Sequence, residues 1–319
     1  MACVDTLDPT SDDVYDFLRR FLIAASALFP DSYLFLGGDE VDAAGCWGRN
    51  PRIAAWLAAH NTTAASLQRT FWRRVWEEVL PAVADAKANA SRASGTSAGE
   101  AAVAGVWQGA DEAIPLSDLP RGAYVNTWQG AAALAAATRA GVHAVASSDW
   151  YLDTVRLAGG GCAASPPYAL QQAWRCFWAA EPSTGLSDEQ EALLLGGQVS
   201  AWGEGVSAET LDARVWSRAA AAAERLWSPR AGAAVDAVAA LKDAERRLDA
   251  HVCRMRLRGI GAEPIRAGFC PPDLGDDSGG NAHVTPSHMR SRRAEPLASA
   301  DKPELTLLMA PAAAAYDAR

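Results

Sequence analysis

Short apolar runs recur along the chain, separated by longer stretches rich in alanine and charge. Tyr33 to Leu36, Ala102 to Trp107, Ala123 to Trp128, Val142 to Ser147 and Gln198 to Trp202 each read as a strand. Between them Ala64 to Lys87, Gly130 to Ala140 and Leu211 to Trp227 favour helix, and a further amphipathic helix is expected from about Ala233 to Arg258. Short apolar strands alternating with helices are the signature of parallel βα units, whose strands are covered on both faces. No GxGxxG and no P-loop follows any of them. Five such units therefore point toward a (β/α) barrel, with a doubly wound sheet as the structural alternative. Gly159 to Tyr168, with a run of glycines and two prolines, reads as a long loop after the fourth unit. After Cys270 the texture turns polar and rich in Gly, Ser and Pro, so residues 1–270 form the folded part and 271–319 a disordered tail.

Composition narrows the picture. The chain has 319 residues, half of them apolar and 21% charged, which is globular and ample for a large core. A net charge of −9 argues against a nucleic-acid surface, which normally needs a basic patch. No apolar run reaches the ~18 residues of a membrane helix. Six cysteines, at positions 3, 46, 162, 176, 253 and 270, are compatible with three disulfides. Spacing suggests Cys253–Cys270 and Cys162–Cys176 as local loops, leaving Cys3–Cys46, and the lack of CxxC spacing argues against a metal site. Two glycosylation triplets, Asn61-Thr-Thr and Asn89-Ala-Ser, add to a secretory or lysosome-like signature. The first residues carry no basic and apolar leader. Either the thiols are free in a cytosolic protein, or the chain lacks its true beginning.

The most informative number is 12 Trp beside 7 Phe and 6 Tyr. Flat aromatic faces on an acidic chain suit carbohydrate. The strand ends carry that reading further, because chemistry in a (β/α) barrel collects where strands end. The first strand ends in Gly37-Gly38-Asp39-Glu40, the second in Trp107-Gln108, the third in Trp128-Gln129, the fourth in Asp149-Trp150-Tyr151-Leu152-Asp153 and the fifth in Trp202-Gly203-Glu204. Two adjacent carboxylates after a glycine turn can keep one proton for donation near neutrality, as acid catalysis at a glycosidic oxygen requires. Trp107, Trp128 and Trp202 can converge on one pocket, with Asp153 and Glu204 hydrogen-bonding hydroxyls and Tyr151 offering a donor. Trp216 and Trp227, on the later helix, are expected to be core. The five histidines are scattered without metal-ligand spacing, and no GxSxG nucleophile elbow is present.

FPDSYLFLGGDEVDAAGCWGRNP, VWQ, NTW, DWYLD, AWGE, RLWSPR and HVCRMRLRGIGAEPIRAGFC, in that order, resemble the catalytic domain of the β-N-acetylhexosaminidases, the family-20 glycoside hydrolases. The resemblance runs from about Leu7 to Cys270. It implies retaining, substrate-assisted hydrolysis of terminal β-linked N-acetylhexosamine, an exception to the two-carboxylate scheme. Glu40 would be general acid and then base, Asp39 would hold the acetamido N–H, and Tyr151 its carbonyl oxygen. Trp107, Trp128 and Trp202 would wall the pocket, and Asp153 and Glu204 would bind outer hydroxyls. The resemblance implies no metal or organic cofactor, a glycan substrate, a homodimer, and a lysosomal, vacuolar or secreted location if a signal peptide precedes the chain.

Two departures stand out. Position 35 is Phe where the family has His, which removes a polar group behind the acid pair. The recognisable strands correspond to the fourth through the eighth of an eight-stranded barrel. The first three strands, an Arg that clamps sugar hydroxyls and a preceding α+β domain have no counterpart here. An open five-eighths barrel would expose strand edges and apolar interior. The expectation is an N-terminally incomplete piece, unstable alone.

Overall fold

The computed structural model describes residues 6–29, 31–94, 102–110, 114–153, 173–228, 237–266, 268 and 270. Five parallel strands form one sheet: β1 (Tyr33–Phe35), β2 (Val103–Trp107), β3 (Tyr124–Thr127), β4 (His143–Ala146) and β5 (Leu194–Gly197). They pair strictly in chain order, all parallel. A doubly wound sheet would reverse direction at a switch point. This one does not, which removes that alternative.

Local chemistry explains where the helices begin. α1 (Asp12–Leu28) opens with Asp12 and Asp13, whose charges suit a helix N-terminus. After the short α2 (Ala43–Trp47), α3 (Pro51–Ala59) starts at Asn50, which accepts the Arg52 and Ile53 N–H groups, with Pro51 in the first turn. α4 (Ala64–Arg74) is capped by Thr63. The expected helix from Ala64 is interrupted by a π turn at Val75–Val79 before resuming as α5 (Leu80–Ser94). Pro81 gives the reason: its ring would collide with the carbonyl of Glu77 in an α-helix, and the wider turn moves that carbonyl aside. Among the described residues the further α-helices are α6 (Ala131–Arg139), α7 (Ala173–Ala179), α8 (Asp188–Glu191), α9 (Leu211–Trp227) and α10 (Ala237–Leu257).

Two apolar cores support the sheet. Under β1 to β3, Tyr15, Leu22, Leu34, Trp72, Val79 and Val106 pack together. Under β4 and β5, Trp150, Trp174, Phe177, Ala221 and Leu248 form the second. The buried indoles there keep hydrogen bonds, Trp150 Nε1 to the Phe177 carbonyl at 2.9 Å and Trp174 Nε1 to that of Ile265 at 3.3 Å.

Several expectations change. The fifth strand lies at Leu194–Gly197 rather than at Gln198–Trp202. The glycines at its end still pair with β4, and the chain turns away after Ser200. Trp216 and Trp227 are not core: Trp216 is 42% and Trp227 90% exposed. They are 11 residues apart, about three turns, and so share one helix face. α9 instead buries the stripe Ser217, Arg218, Ala221 and Ala222. Cys253–Cys270 is present as a disulfide, and Cys46 and Cys176 are disulfide-bonded as well. Cys3, Cys162, the loop Gly159 to Tyr168 and residues 271–319 lie outside the described residues. Asn61 and Asn89, the two triplet asparagines, are both exposed.

Candidate active site

The C-terminal end of β1 is a tight, strained turn. Gly37 and Gly38 have φ of 72° and 101°, and Glu40 adopts φ 53°, a left-handed conformation unusual for a residue with a side chain. Such backbone costs on the order of 1–3 kcal/mol and persists only where the surroundings impose it. Here they do: a Cβ on Gly38 would sit 2.2 Å from the Trp72 ring, so α4 presses directly on the turn. On the other side, the Gly109 backbone after β2 lies against Asp39. Asp39 is thereby half-buried while Glu40 is exposed.

Gln108 organises the next two strand ends. Its Oε1 accepts the backbone N–H groups of Trp128 (3.1 Å) and Gln129 (2.9 Å), and its Nε2 donates to Gln129 Oε1 at 3.0 Å. Its carbonyl accepts the Trp128 indole N–H at 2.8 Å. Trp128, half-buried, is thus fixed relative to Trp107. Trp107 meets Phe35 edge-on, with ring centroids 5.0 Å apart, and lies 6.0 Å from the Trp202 ring. Inside the sheet, fully buried Asn126 donates to Gln198 Oε1 at 2.8 Å, linking β3 to the end of β5.

At β4 and β5 the sheet continues past the regular strands. Tyr151 bridges Ser200 in parallel, with Leu152 N–H to the Ser200 carbonyl at 2.7 Å and Ser200 N–H to the Trp150 carbonyl at 2.9 Å. Trp150 and Leu152 point into the core, so Tyr151 and Asp153 share the opposite face. Burial pushes the Tyr151 phenol above its ordinary pKa; a hydrogen bond with Trp202 opposes this, and the negative charges of Asp39, Asp153 and Glu40 add to it. Burial raises the Asp149 carboxyl as well. Asp153 Oδ1 is buried with no hydrogen-bond partner among the described residues, an acceptor ready for a donor. The turn carrying Glu204 lies over Asp153, with a Cβ on Gly205 falling 3.4 Å from the Asp153 carbonyl. Glu204 itself is exposed.

Asp39, Glu40, Tyr151, Asp153, Trp107 and Trp202 therefore meet at one end of the sheet. Trp128 borders them through Gln108, and Glu204 lies on the adjacent turn. Trp202 is 41% exposed and stands beyond β5 rather than at its end. Sequence reasoning assigned no role to Gln108, Asn126 and Gln198. The repeated Trp-Gln pair at 107–108 and 128–129 was the available signal for Gln108. A polar Asn inside a buried strand was the signal for Asn126. Nothing in the sequence announces the left-handed backbone of Glu40.

An acid pair, a phenol and a wall of indoles can donate a proton, hold a polar group and stack on the apolar face of a ring. Comparisons with known proteins agree in kind. The profile described as glycosyl hydrolase family 20, catalytic domain, matches residues 2–230. The rat β-hexosaminidase subunit beta is 32% identical over 273 residues, covering 84% of this chain and 43% of that protein. Arabidopsis thaliana β-hexosaminidase 3 is 29% identical over 270 residues, covering 83% of this chain and 43% of that one. Among solved structures, the Flavobacterium johnsoniae chitobiase superposes with a TM-score of 0.56 at 28% identity, covering 80% of this chain and 34% of that chain. The chain thus spans less than half the length of these relatives. With the profile matched over most of its length, and with the parallel sheet and the clustered acids in place, the chain belongs to glycosyl hydrolase family 20 as part of its catalytic domain.

Proposed function

We propose that this chain carries the acid–base half of a retaining β-N-acetylhexosaminidase that removes terminal, non-reducing N-acetylhexosamine from glycans or glycoconjugates. The observation that supports the reading is that Asp39, packed against the backbone that follows Trp107, shares one end of the sheet with Tyr151, bridged to Ser200, and with the Trp202 ring 6.0 Å from Trp107. Protonated Glu40 donates to the glycosidic oxygen as the C1–O bond breaks. The substrate's acetamido oxygen attacks C1 from the opposite face, giving an oxazolinium ion. Asp39 accepts the acetamido N–H and offsets the positive charge that develops; Tyr151 donates to the acetamido oxygen and orients it. Water then attacks C1, passing a proton to the Glu40 carboxylate, so two inversions give net retention. Trp107, Trp128 and Trp202 wall the sugar, and Asp153 and Glu204 bind its outer hydroxyls. No metal or organic cofactor enters any step.

In this reading residues 1–270 are the C-terminal part of the barrel, its five strands standing as the fourth to the eighth. The remaining strands would pair with the outer edges of β1 and β5, which have no partner among the described residues. Pairing of barrels as a homodimer, and a lysosomal, vacuolar or secreted setting, belong to the same proposal. A fluorogenic N-acetyl-β-glucosaminide tests it. Turnover should fall on the order of 10²–10⁴-fold in Glu40→Gln, less for an aryl than for a sugar leaving group. Sugar binding without turnover in the unaltered chain would instead leave a glycan-binding remnant, and intact turnover in Asp39→Asn would remove the substrate-assisted step.

A further inference from the structure

Arg218 is a cation buried beneath the site with no role in the chemistry above. It sits on the core side of α9 with 2% exposure, among Ser217, Ala221 and Ala222. Burying a guanidinium is costly unless it is fully engaged, and an apolar side chain would fill the same space more cheaply. Its Nη1 donates to the Leu152 carbonyl at 2.5 Å. Burial disfavours its charged form, an effect that the charge of Arg214 adds to and those of Glu263 and Asp153 oppose. Glu263 is held in turn, since its backbone carbonyl accepts the Ser217 hydroxyl.

The bonded carbonyl matters because of where it lies. Leu152 is buried between Tyr151 and Asp153, the two residues whose side chains share the site face. Its N–H is bound by Ser200 across the sheet and its carbonyl by Arg218 from the helix behind. Both polar groups of this one residue are therefore tied, from different elements, and the peptides on either side cannot rotate without breaking one tie. That backbone carries the Tyr151 phenol and the Asp153 carboxylate, whose Oδ1 has no hydrogen-bond partner among the described residues.

We propose that Arg218 is a positioning residue for the reaction, clamping the Leu152 carbonyl so that Tyr151 and Asp153 present their polar atoms to the same sugar. The inference rests on the proposed hydrolase reading. The test is a double-mutant cycle in the full chain, Arg218→Met and Tyr151→Phe singly and together, scored on an aryl N-acetyl-β-glucosaminide. Misplacement by about 1 Å can cost on the order of 10²-fold in rate, so Arg218→Met should lower kcat/KM by ~10–100-fold, mostly in kcat. In the Tyr151→Phe background the same change should cost several-fold less, because one of the two groups it aims is already gone and only the Asp153 share is left. Arg218→Lys, whose ammonium can still donate to the carbonyl, should recover part of the rate. Equal factors in both backgrounds, tracking only the folded fraction, would overturn the inference.

A readout without turnover separates this from the functional reading. In a chain labelled with 3-fluorotyrosine, the Tyr151 fluorine resonance, assigned through Tyr151→Phe, should move in Arg218→Met, and less in Arg218→Lys, while the other tyrosine resonances stay. An unmoved signal in a folded Arg218→Met protein, where the donor to the Leu152 carbonyl is gone, overturns the inference whether or not the chain hydrolyses sugar. Absent turnover with a moved signal sinks the hydrolase reading alone.

Discussion

The two halves of the sheet carry their parts of the site in different ways. Around β4 and β5 the backbone is supported from below: Trp150 has no exposed surface, Ser200 ties residues 150–152, and Arg218 holds Leu152. Around β1 the outer side is more open among the described residues. β1 buries Leu34 and leaves Tyr33 and Phe35 exposed, and α1 beside it shows Phe17 and Phe21 to solvent. A cleft of about 390 Å³, lined in part by Leu18, Phe21, Phe35, Gly38 and Asp39, opens on that side. Exposed apolar area of this kind marks a surface built to be covered. Tyr151 and Asp153 thus stand on a filled core, while Asp39 and Glu40 stand at a sheet edge, their turn held between Trp72 and the Gly109 backbone.

Removing support from each half should break the contrast in opposite ways. The largest effect is expected for Trp150→Ala, which opens a cavity under β4 and deletes the bond to Phe177; about 3–5 kcal/mol of stability should be lost, read from the urea midpoint at constant slope. A loss below 1 kcal/mol would mean the second core is looser than its burial indicates. Next is Gly38→Ala, where a methyl meets Trp72 and φ is 101°. We expect a loss on the order of 1–3 kcal/mol, with turnover falling further than stability because the acid pair moves.

A smaller change sharpens the link between the halves. Difference titration against Tyr151→Phe should place the Tyr151 phenol above an ordinary tyrosine, so it stays a donor through the whole range in which proteins function. Trp202→Phe should push it higher still, since the Trp202 hydrogen bond is what opposes burial and the three carboxylates. A downward shift would show that Trp202 does not reach the phenol. The smallest effect is expected for Phe17→Ser with Phe21→Ser, within ~0.5 kcal/mol of the parent in urea, because both rings are more than half exposed. A large loss there would mean that α1 is not the open face it presents.

Much of this was legible beforehand, for reasons that differ by element. Leu211 to Trp227 is an uninterrupted helix-forming stretch, and its expected limits are the observed ones. The first four strands fall within a residue or two of their apolar runs, since each run ends at a polar or glycine residue. β5 was misplaced because Leu194 to Gly197 ends in two glycines, which weaken a strand signal, while the more β-like Gln198 to Trp202 follows it. Trp216 and Trp227 were misjudged because apolar character says nothing of which helix face meets the sheet.

The sequence alone determined the alternation of strand and helix, the parallel sheet, and the residue types gathered at strand ends, because these follow from hydrophobic period and from chemistry written in local motifs. Only the tertiary structure decided that the Trp202 ring comes within 6.0 Å of the Trp107 ring, from a segment far along the chain. It alone showed that Trp72 forces the turn before Asp39, and that a buried arginine on α9 grips the backbone behind Tyr151. Such contacts join residues tens of positions apart. Their geometry is set by how helices settle on the sheet, which no local pattern encodes.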